Sequence, residues 1–91
     1  MPYFLVSYRY TGDVDARMRV RPAHREFLAQ QDSLLASGPT DDDGAVLVFE
    51  AGSAAEVESL LDDDPIAQLG FVGSRSVVGW DVVLGRWATK G

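Results

Sequence analysis

Aromatic and β-branched side chains dominate the start of the chain and indicate a β-strand. The segment Tyr3 to Tyr10 (YFLVSYRY) follows a proline, as a strand at the edge of a domain often does. Because successive strand residues point to opposite faces, Val6 and Tyr8 share one face and Leu5 lies on the other. Both faces of this first strand therefore carry apolar groups.

After the first strand, the apolar residues no longer recur at every second position but at the spacing of a helix. We expect the polar segment Gly12 to Val20 to form a loop or irregular turn. Pro22 suits the first position of a helix, where its missing N–H leaves no carbonyl unpaired, and apolar residues then recur at helical spacing. The sequence thus predicts a first helix over residues 22–31. Asp32 is expected to end it in the left-handed conformation.

Two apolar runs around an acidic turn predict a hairpin in the middle of the chain. The first run, Leu34 to Ala36, predicts a short second strand that ends at the SGP segment of residues 37–39. The second run, Ala45 to Ala51, is the clearest strand in the sequence. The segment Thr40 to Gly44 between them is expected to be a solvated polar turn, which makes the two strands a hairpin.

The last third of the chain predicts a second helix and a final strand. Ser53 and Glu56 have the spacing of a capping box, so a helix should begin there and end in the DDDP segment of residues 62–65. We expect one further turn over residues 66–69 and a long strand from Phe71 to Leu84. The order β-α-β-β-α-β is ferredoxin-like: an α+β fold with a four-stranded antiparallel sheet and two helices on one face.

Apolar residues on both faces of the sheet predict a homodimer. In the third strand, Leu47 and Phe49 oppose Val46 and Val48, whereas a sheet covered on one side should alternate apolar and polar residues. Two helices can cover only one face, and an uncovered second face would be a large apolar patch. We expect a second copy of the sheet to cover it. The alternative is a monomer with a ligand groove on that face.

Composition and charge narrow the classes of partner. With 91 residues the chain has room for a single domain, residues 1–91. Its net charge of -6 and the absence of a basic stripe argue against nucleic-acid binding. It has no cysteine and one histidine, so we expect no metal and no cofactor. The sequence has neither a membrane-spanning run nor a signal-like start, and we expect a cytoplasmic location.

His24, the single histidine, is the first candidate for chemistry. The predicted helix puts it in the first turn, beside the apolar stripe that includes Phe27 and Leu28. Histidine suits proton transfer near neutral pH, and a helix N-terminus disfavours its protonated form. A structural histidine with a satisfied hydrogen bond is the alternative interpretation.

Asp64 is the second candidate, because three adjacent carboxylates at a helix C-terminus oppose the helix dipole. Pro65 pushes Asp64 into an extended conformation, and a rigidly held carboxylate can orient a histidine. We expect Asp62 and Asp63 to be a solvated acidic corner, which is also the alternative for Asp64 itself.

Three further residues are candidates for ligand binding. Arg21 can bind an anionic group through its guanidinium, or it can be a surface charge. Gly38 can allow a ligand to approach the backbone, and Ser37 lies beside it, although simple turn chemistry also explains both. We expect Tyr8 and Trp80 to belong to the core or to an interface.

These motifs together resemble the YciI-like (YCII-related) family. The VRPAH segment of residues 20–24, SGP at 37–39 and the DDDP corner occur in the family's order over about Tyr3 to Trp80. The resemblance implies the dimeric α+β barrel fold and a histidine–aspartate dyad of His24 and Asp64 in a pocket near the sheet. Muconolactone isomerases and small monooxygenases share that fold, and dehydrochlorination of aromatic intermediates is known within the family.

The sequence departs from the family pattern in two places. Asp32 stands where the family usually has glycine, so the end of the first helix is expected to differ. The tail carries Trp80 and Trp87, and we expect these two tryptophans to alter either the pocket or the dimer contact.

Three functions remain open at this point. The first is a cofactor-independent isomerase or lyase for a small cyclic or aromatic acid, in which His24 transfers protons, Asp64 orients the ring, and Arg21 with the backbone near Gly38 holds the anion. The second is a non-catalytic metabolite-binding or accessory dimer module. The third is a haem protein on the same fold with His24 as iron ligand.

Overall fold

Four antiparallel strands and three helices make up the part of the chain that the computed structural model describes, residues 2–88. In chain order the elements are β1 (Tyr3–Tyr10), α1 (Val14–Ala29), β2 (Leu34–Thr40), β3 (Gly44–Glu50), α2 (Ala54–Leu61), α3 (Pro65–Gln68) and β4 (Val72–Trp80). The strand order in the sheet is β2-β3-β1-β4, and all three neighbouring pairs are antiparallel. This confirms the predicted ferredoxin-like fold.

The inner face of the sheet packs against all three helices. The central strands β1 and β3 pair Val6 with Leu47 and Phe4 with Phe49, which puts these side chains on one face. The helices contribute apolar residues to the same core: Leu28, Val57, Leu61 and Ile66. Val6 and Phe49 are fully buried, so this layer supplies most of the hydrophobic stabilisation.

The outer face of the sheet is also apolar but has no helix on it. Leu5 of β1 lies opposite Val48 of β3 and Val78 of β4, and Tyr3 lies opposite Trp80. Val78 is 51% exposed. The sheet thus carries apolar residues on both of its faces, as the sequence predicts.

Helix α1 begins eight residues earlier than predicted. The segment assigned to a loop is its first half, because Asp13 caps the helix by accepting a hydrogen bond of 2.9 Å from the Ala16 N–H. Pro22 lies inside the helix, so the prediction that it marks the start was wrong. The helical stripe was hidden because Arg17, a buried charged residue, occupies one of its core-facing positions.

The end of α1 and the extent of β2 also differ from the predictions. Gln30 caps the helix with a φ of -86°, and the one non-glycine residue with positive φ among residues 2–88 is Asp43, so Asp32 is not left-handed. Strand β2 continues through the SGP segment to Thr40. Pro39 is tolerated there because β2 is an edge strand and needs no second partner.

The final strand is shorter than predicted, whereas helix α2 begins as expected. Strand β4 ends at Trp80, and Leu84 beyond it is 87% exposed. The capping serine of α2 accepts from the Glu56 N–H at 3.2 Å, and the Glu56 carboxylate accepts from the Gly52 N–H at 3.1 Å. No helix within residues 2–88 has the length and apolar character needed to cross a bilayer.

Candidate active site

Asp64 is fixed in the short connection between α2 and α3. Its backbone is extended (φ -64°, ψ 122°), as expected for a residue before proline. Its side chain caps α3 by accepting a hydrogen bond of 3.2 Å from the Ile66 N–H. The residue is fully buried, so it is not part of the acidic corner formed by Asp62 and Asp63, which are exposed as predicted.

His24 contacts Asp64 across the α1–α3 interface. Its Nδ1 lies 2.8 Å from Oδ1 and 2.9 Å from Oδ2 of the carboxylate, although the two residues are 40 positions apart. His24 itself is only 8% exposed. It lies in the third turn of α1 rather than the first, so the predicted effect of the helix N-terminus does not apply, because that effect is confined to the first turn.

Tyr8 is a third member of this cluster that the sequence reasoning assigned only to the core or an interface. It is buried in the core, and its hydroxyl donates a hydrogen bond of 3.0 Å to Oδ2 of Asp64. Burial, and then the charge of the Asp64 carboxylate, raise the pKa of Tyr8 far above its usual value of 10.0. The hydroxyl therefore stays protonated and acts as a donor.

The hydrogen bonds around Asp64 determine which nitrogen of His24 carries the proton. The Tyr8 hydroxyl and the Ile66 N–H both donate to the carboxylate, so its oxygens act as acceptors. In the neutral ring, Nδ1 must then be protonated and Nε2 carries the lone pair. No fully buried side-chain N or O atom within residues 2–88 lacks a partner. The Nε2 atom of His24 has no hydrogen-bond partner among these residues. It is therefore not fully buried, and solvent can reach it.

A cleft of about 430 Å³ lies between helix α1 and the β2–β3 hairpin. His24 is part of its wall, whereas Asp64 lies behind the ring and does not line it. The predicted binding residues Arg21, Ser37 and Gly38 all border this cleft. The structure thus brings four of the five candidate residues to one cavity and holds the fifth against the back of His24.

The register of β2 distinguishes the positions of Ser37 and Gly38. Ser37 pairs with Leu47, a residue of the inner face, whereas Gly38 pairs with Val46 on the outer face. A side chain at position 37 therefore projects toward the cleft, and one at position 38 would project away from it. A Cβ added at Gly38 would meet no atom within 4 Å, so packing within the described residues does not require a glycine there.

An ion pair that the sequence analysis did not predict lies at one end of the cleft. The Arg17 guanidinium contacts the Asp43 carboxylate through both of its terminal nitrogens, and it lies 4.8 Å from the centre of the Tyr10 ring. The pair joins α1 to the β2–β3 turn. The turn is exposed, as expected, and the Asp43 carboxylate forms this ion pair in addition. The φ of 63° at Asp43 is a left-handed conformation that aspartate tolerates better than most residues.

Comparison with known proteins identifies the family. Residues 1–81 match the model of the YCII-related domain. The chain belongs to the YCII-related domain family. A curated relative, the derivative of benzaldehyde biosynthesis cluster protein C of Emericella nidulans, is 33% identical over 81 residues, covering 72% of this chain and 83% of the relative. This family assignment confirms the resemblance drawn from the motifs.

Two solved structures similar to this YCII-related protein extend the comparison. The 5-chloro-2-hydroxyhydroquinone dehydrochlorinase of Burkholderia phenoliruptrix, solved with 2,5-dihydroxybenzoquinone, has a TM-score of 0.77 and 27% identity, covering 86% of this chain and 92% of that protein. A dimeric ferredoxin-like protein of Thermobifida fusca has a TM-score of 0.56 and 19% identity, covering 88% of this chain and 90% of that protein. The second similarity supports the fold alone.

Proposed function

We propose that this protein is a cofactor-independent enzyme that transfers protons on a small cyclic or aromatic acid, as an isomerase or a lyase. The observation that carries the proposal is the contact between His24 Nδ1 and the buried Asp64 carboxylate, at 2.8 Å. This contact fixes the tautomer of a histidine that borders a cleft of ligand size. Asp64 orients the ring from behind, as the carboxylate of a histidine–aspartate pair does in other enzymes.

The roles follow from where each group lies. His24 Nε2 accepts a proton from the ligand and returns it at another atom or releases it to solvent, a contribution worth roughly 10²–10⁴-fold in rate. The Asp64 carboxylate stabilises the imidazolium that forms in between. Arg21 and the backbone near Gly38, both on the cleft wall, hold the anionic part of the ligand.

The named activity of one relative supports a lyase of this kind. A dehydrochlorinase removes hydrogen chloride, so a proton passes to a base, chloride leaves with the electrons of the C–Cl bond, and a new double bond remains in the product. No oxidant or reductant is needed for this balance. The reaction needs one base to accept the proton, and His24 can be that base. The similarity to the chlorohydroquinone enzyme makes chlorinated hydroxyhydroquinones the first substrates to test.

The test compares turnover of wild type, His24→Gln and Asp64→Asn on 5-chloro-2-hydroxyhydroquinone and on a panel of ring acids. Chloride release and the absorbance of the quinone product follow the reaction. We expect His24→Gln to lose at least a hundredfold in kcat. Unchanged turnover in this variant would overturn the proposal. A ligand that binds tightly and is recovered unchanged would instead favour the non-catalytic binding or accessory module.

We also propose that two copies pack through the outer faces of their sheets. Leu5, Val48 and Val78 form an apolar strip on that face, and no helix of the described residues covers it. Val48 is already buried, whereas Val78 is 51% exposed, and exposed apolar area of this kind favours burial against a matching surface. A twofold pair of sheets is the simplest arrangement, since the same surface then contacts itself.

A further inference from the structure

Three arginines of helix α1 border the cleft. Arg17, Arg21 and Arg25 are spaced four residues apart, so they share one side of the helix, and all three line the cavity. The whole chain has only eight lysines and arginines against 14 aspartates and glutamates. The cleft is therefore a cationic site in an acidic protein, and such a site concentrates anions.

Two of these three guanidinium groups have no carboxylate partner among the described residues. Arg17 is paired with Asp43, the one carboxylate residue on the cleft wall within residues 2–88. The Arg21 side chain contacts the sulfur of Met18 at 3.9 Å. No ion pair found in the described part of the chain includes Arg21 or Arg25. Two positive charges thus border the cleft beside His24.

We infer that the cleft binds a six-membered ring carrying two anionic oxygens, with Arg21 and Arg25 each binding one of them. Residues four apart in a helix are separated by roughly 6 Å along its axis, so the two side chains leave the same side of α1 close enough together to bind different oxygens of one ring. His24 follows Arg21 by three residues on the same side of the helix. A ring bound by the two arginines therefore lies in the same cleft as His24.

The inference rests on the proposed function and narrows its substrate class from a small ring acid to a doubly charged ring. A monoanion would leave one guanidinium without a counter-charge in the cleft. A guanidinium also offers a planar set of donors that matches a pair of oxygens better than a lysine ammonium does. Ionised dihydroxyquinones and ring diacids have this charge pattern.

The test measures binding by calorimetry with two probes of the same ring. The first probe is 2,5-dihydroxybenzoquinone, a diacid that ionises at both hydroxyls near neutral pH, and the second is its uncharged dimethyl ether. We expect the dianion to bind the wild type and the ether to bind at least tenfold more weakly. Arg21→Gln and Arg25→Gln should each weaken the dianion by roughly threefold to tenfold, as expected for charge-assisted hydrogen bonds at a partly exposed site.

Arg19→Gln is the matched control, because it removes the same charge from the same helix at a position that does not border the cleft. It should change the affinity for the dianion less than twofold. Equal losses in all three variants, equal affinity for the two probes, or no binding of the dianion to the wild type would each overturn the inference. Circular dichroism of each variant confirms that the helix is retained.

This experiment is independent of the test of catalysis. Loss of dianion binding in Arg21→Gln and Arg25→Gln, together with unchanged turnover in His24→Gln, would support the ligand class and refute the proton-transfer role. Normal dianion binding in both arginine variants, with turnover abolished in His24→Gln, would refute the ligand class alone.

Discussion

The Tyr8 hydroxyl and the His24 ring contact the same buried carboxylate, that of Asp64, at 3.0 Å and 2.8 Å. Tyr8 comes from the centre of the sheet and His24 from helix α1. The carboxylate thus links the sheet, α1 and the start of α3. Its position is determined from three directions, which is how a rigid support for a reactive histidine is built.

Removal of the Tyr8 hydroxyl should destabilise the protein. In Tyr8→Phe the Asp64 carboxylate stays buried but loses one of its donors, a loss worth about 1–3 kcal/mol in the free energy of unfolding. Urea denaturation measures the change. Tyr3→Phe, which removes a phenol hydroxyl from the other face of the same strand, is the control. Equal stability of Tyr8→Phe and wild type would show that this hydrogen bond contributes nothing.

Stability should fall at alkaline pH. Because burial and the Asp64 carboxylate raise the pKa of Tyr8 in the folded state above 10.0, its contribution is constant below about pH 10. Above that pH the unfolded chain releases a proton that the folded chain keeps, and stability decreases as pH rises. The effect is measured as the unfolding midpoint between pH 8 and 11. Tyr8→Phe should flatten this decline, and an equally steep decline in the variant would argue against the predicted shift.

Two substitutions at Asp64 separate its charge from its capping role. Asparagine keeps an acceptor for the Ile66 N–H, whereas alanine removes both the charge and the cap of α3. Both variants should be less stable than wild type, with Asp64→Ala lower than Asp64→Asn by about 1 kcal/mol, the usual worth of a helix N-cap. Thermal denaturation measures both. Equal stability of the two variants would contradict the capping contact.

A charge on the outer face should separate the proposed dimer. Val78→Asp places a carboxylate in the apolar strip and should convert the protein to a species of 9.9 kDa in sedimentation experiments. Leu69→Asp is the control, because Leu69 is similarly exposed but lies on the helical side of the molecule. A wild type that already sediments as a monomer at micromolar concentration would contradict the proposed packing.

The sequence pattern predicted the strands and helix α2 better than helix α1. Strand and capping signals are local, so Tyr3–Tyr10 and the helix start at Ser53 were predictable within a residue. Helix α1 was not, because Pro22 is a stronger start signal in sequence than Asp13, although the structure places it in the helix interior. Arg17 interrupts the apolar stripe of α1 in the sequence. Its burial depends on a carboxylate 26 residues away, which no local pattern indicates.

In the candidate site, too, features set by neighbouring residues were predictable from the sequence, and features set by distant residues were not. The conformation of Asp64 followed from Pro65 alone, which is a neighbouring-residue effect. Its contact with His24 depends on the packing of α1 against α3, and the resemblance to the family suggested it where no local pattern did. The hydrogen bond from Tyr8 had no sequence signal at all, because a tyrosine in an aromatic strand is indistinguishable from an ordinary core residue until the sheet forms.

The tautomer of His24 tests the central claim most directly, and the chain has only one histidine, so its ring signals need no assignment. Nitrogen-15 NMR of histidine-labelled protein, recorded at a pH where the ring is neutral, distinguishes the protonated nitrogen from the one with the lone pair. We predict the proton on Nδ1, facing Asp64, and a weaker preference for Nδ1 in Asp64→Asn. A proton on Nε2 in the wild type would contradict this prediction, because the nitrogen proposed as the base would then have no lone pair to accept a proton.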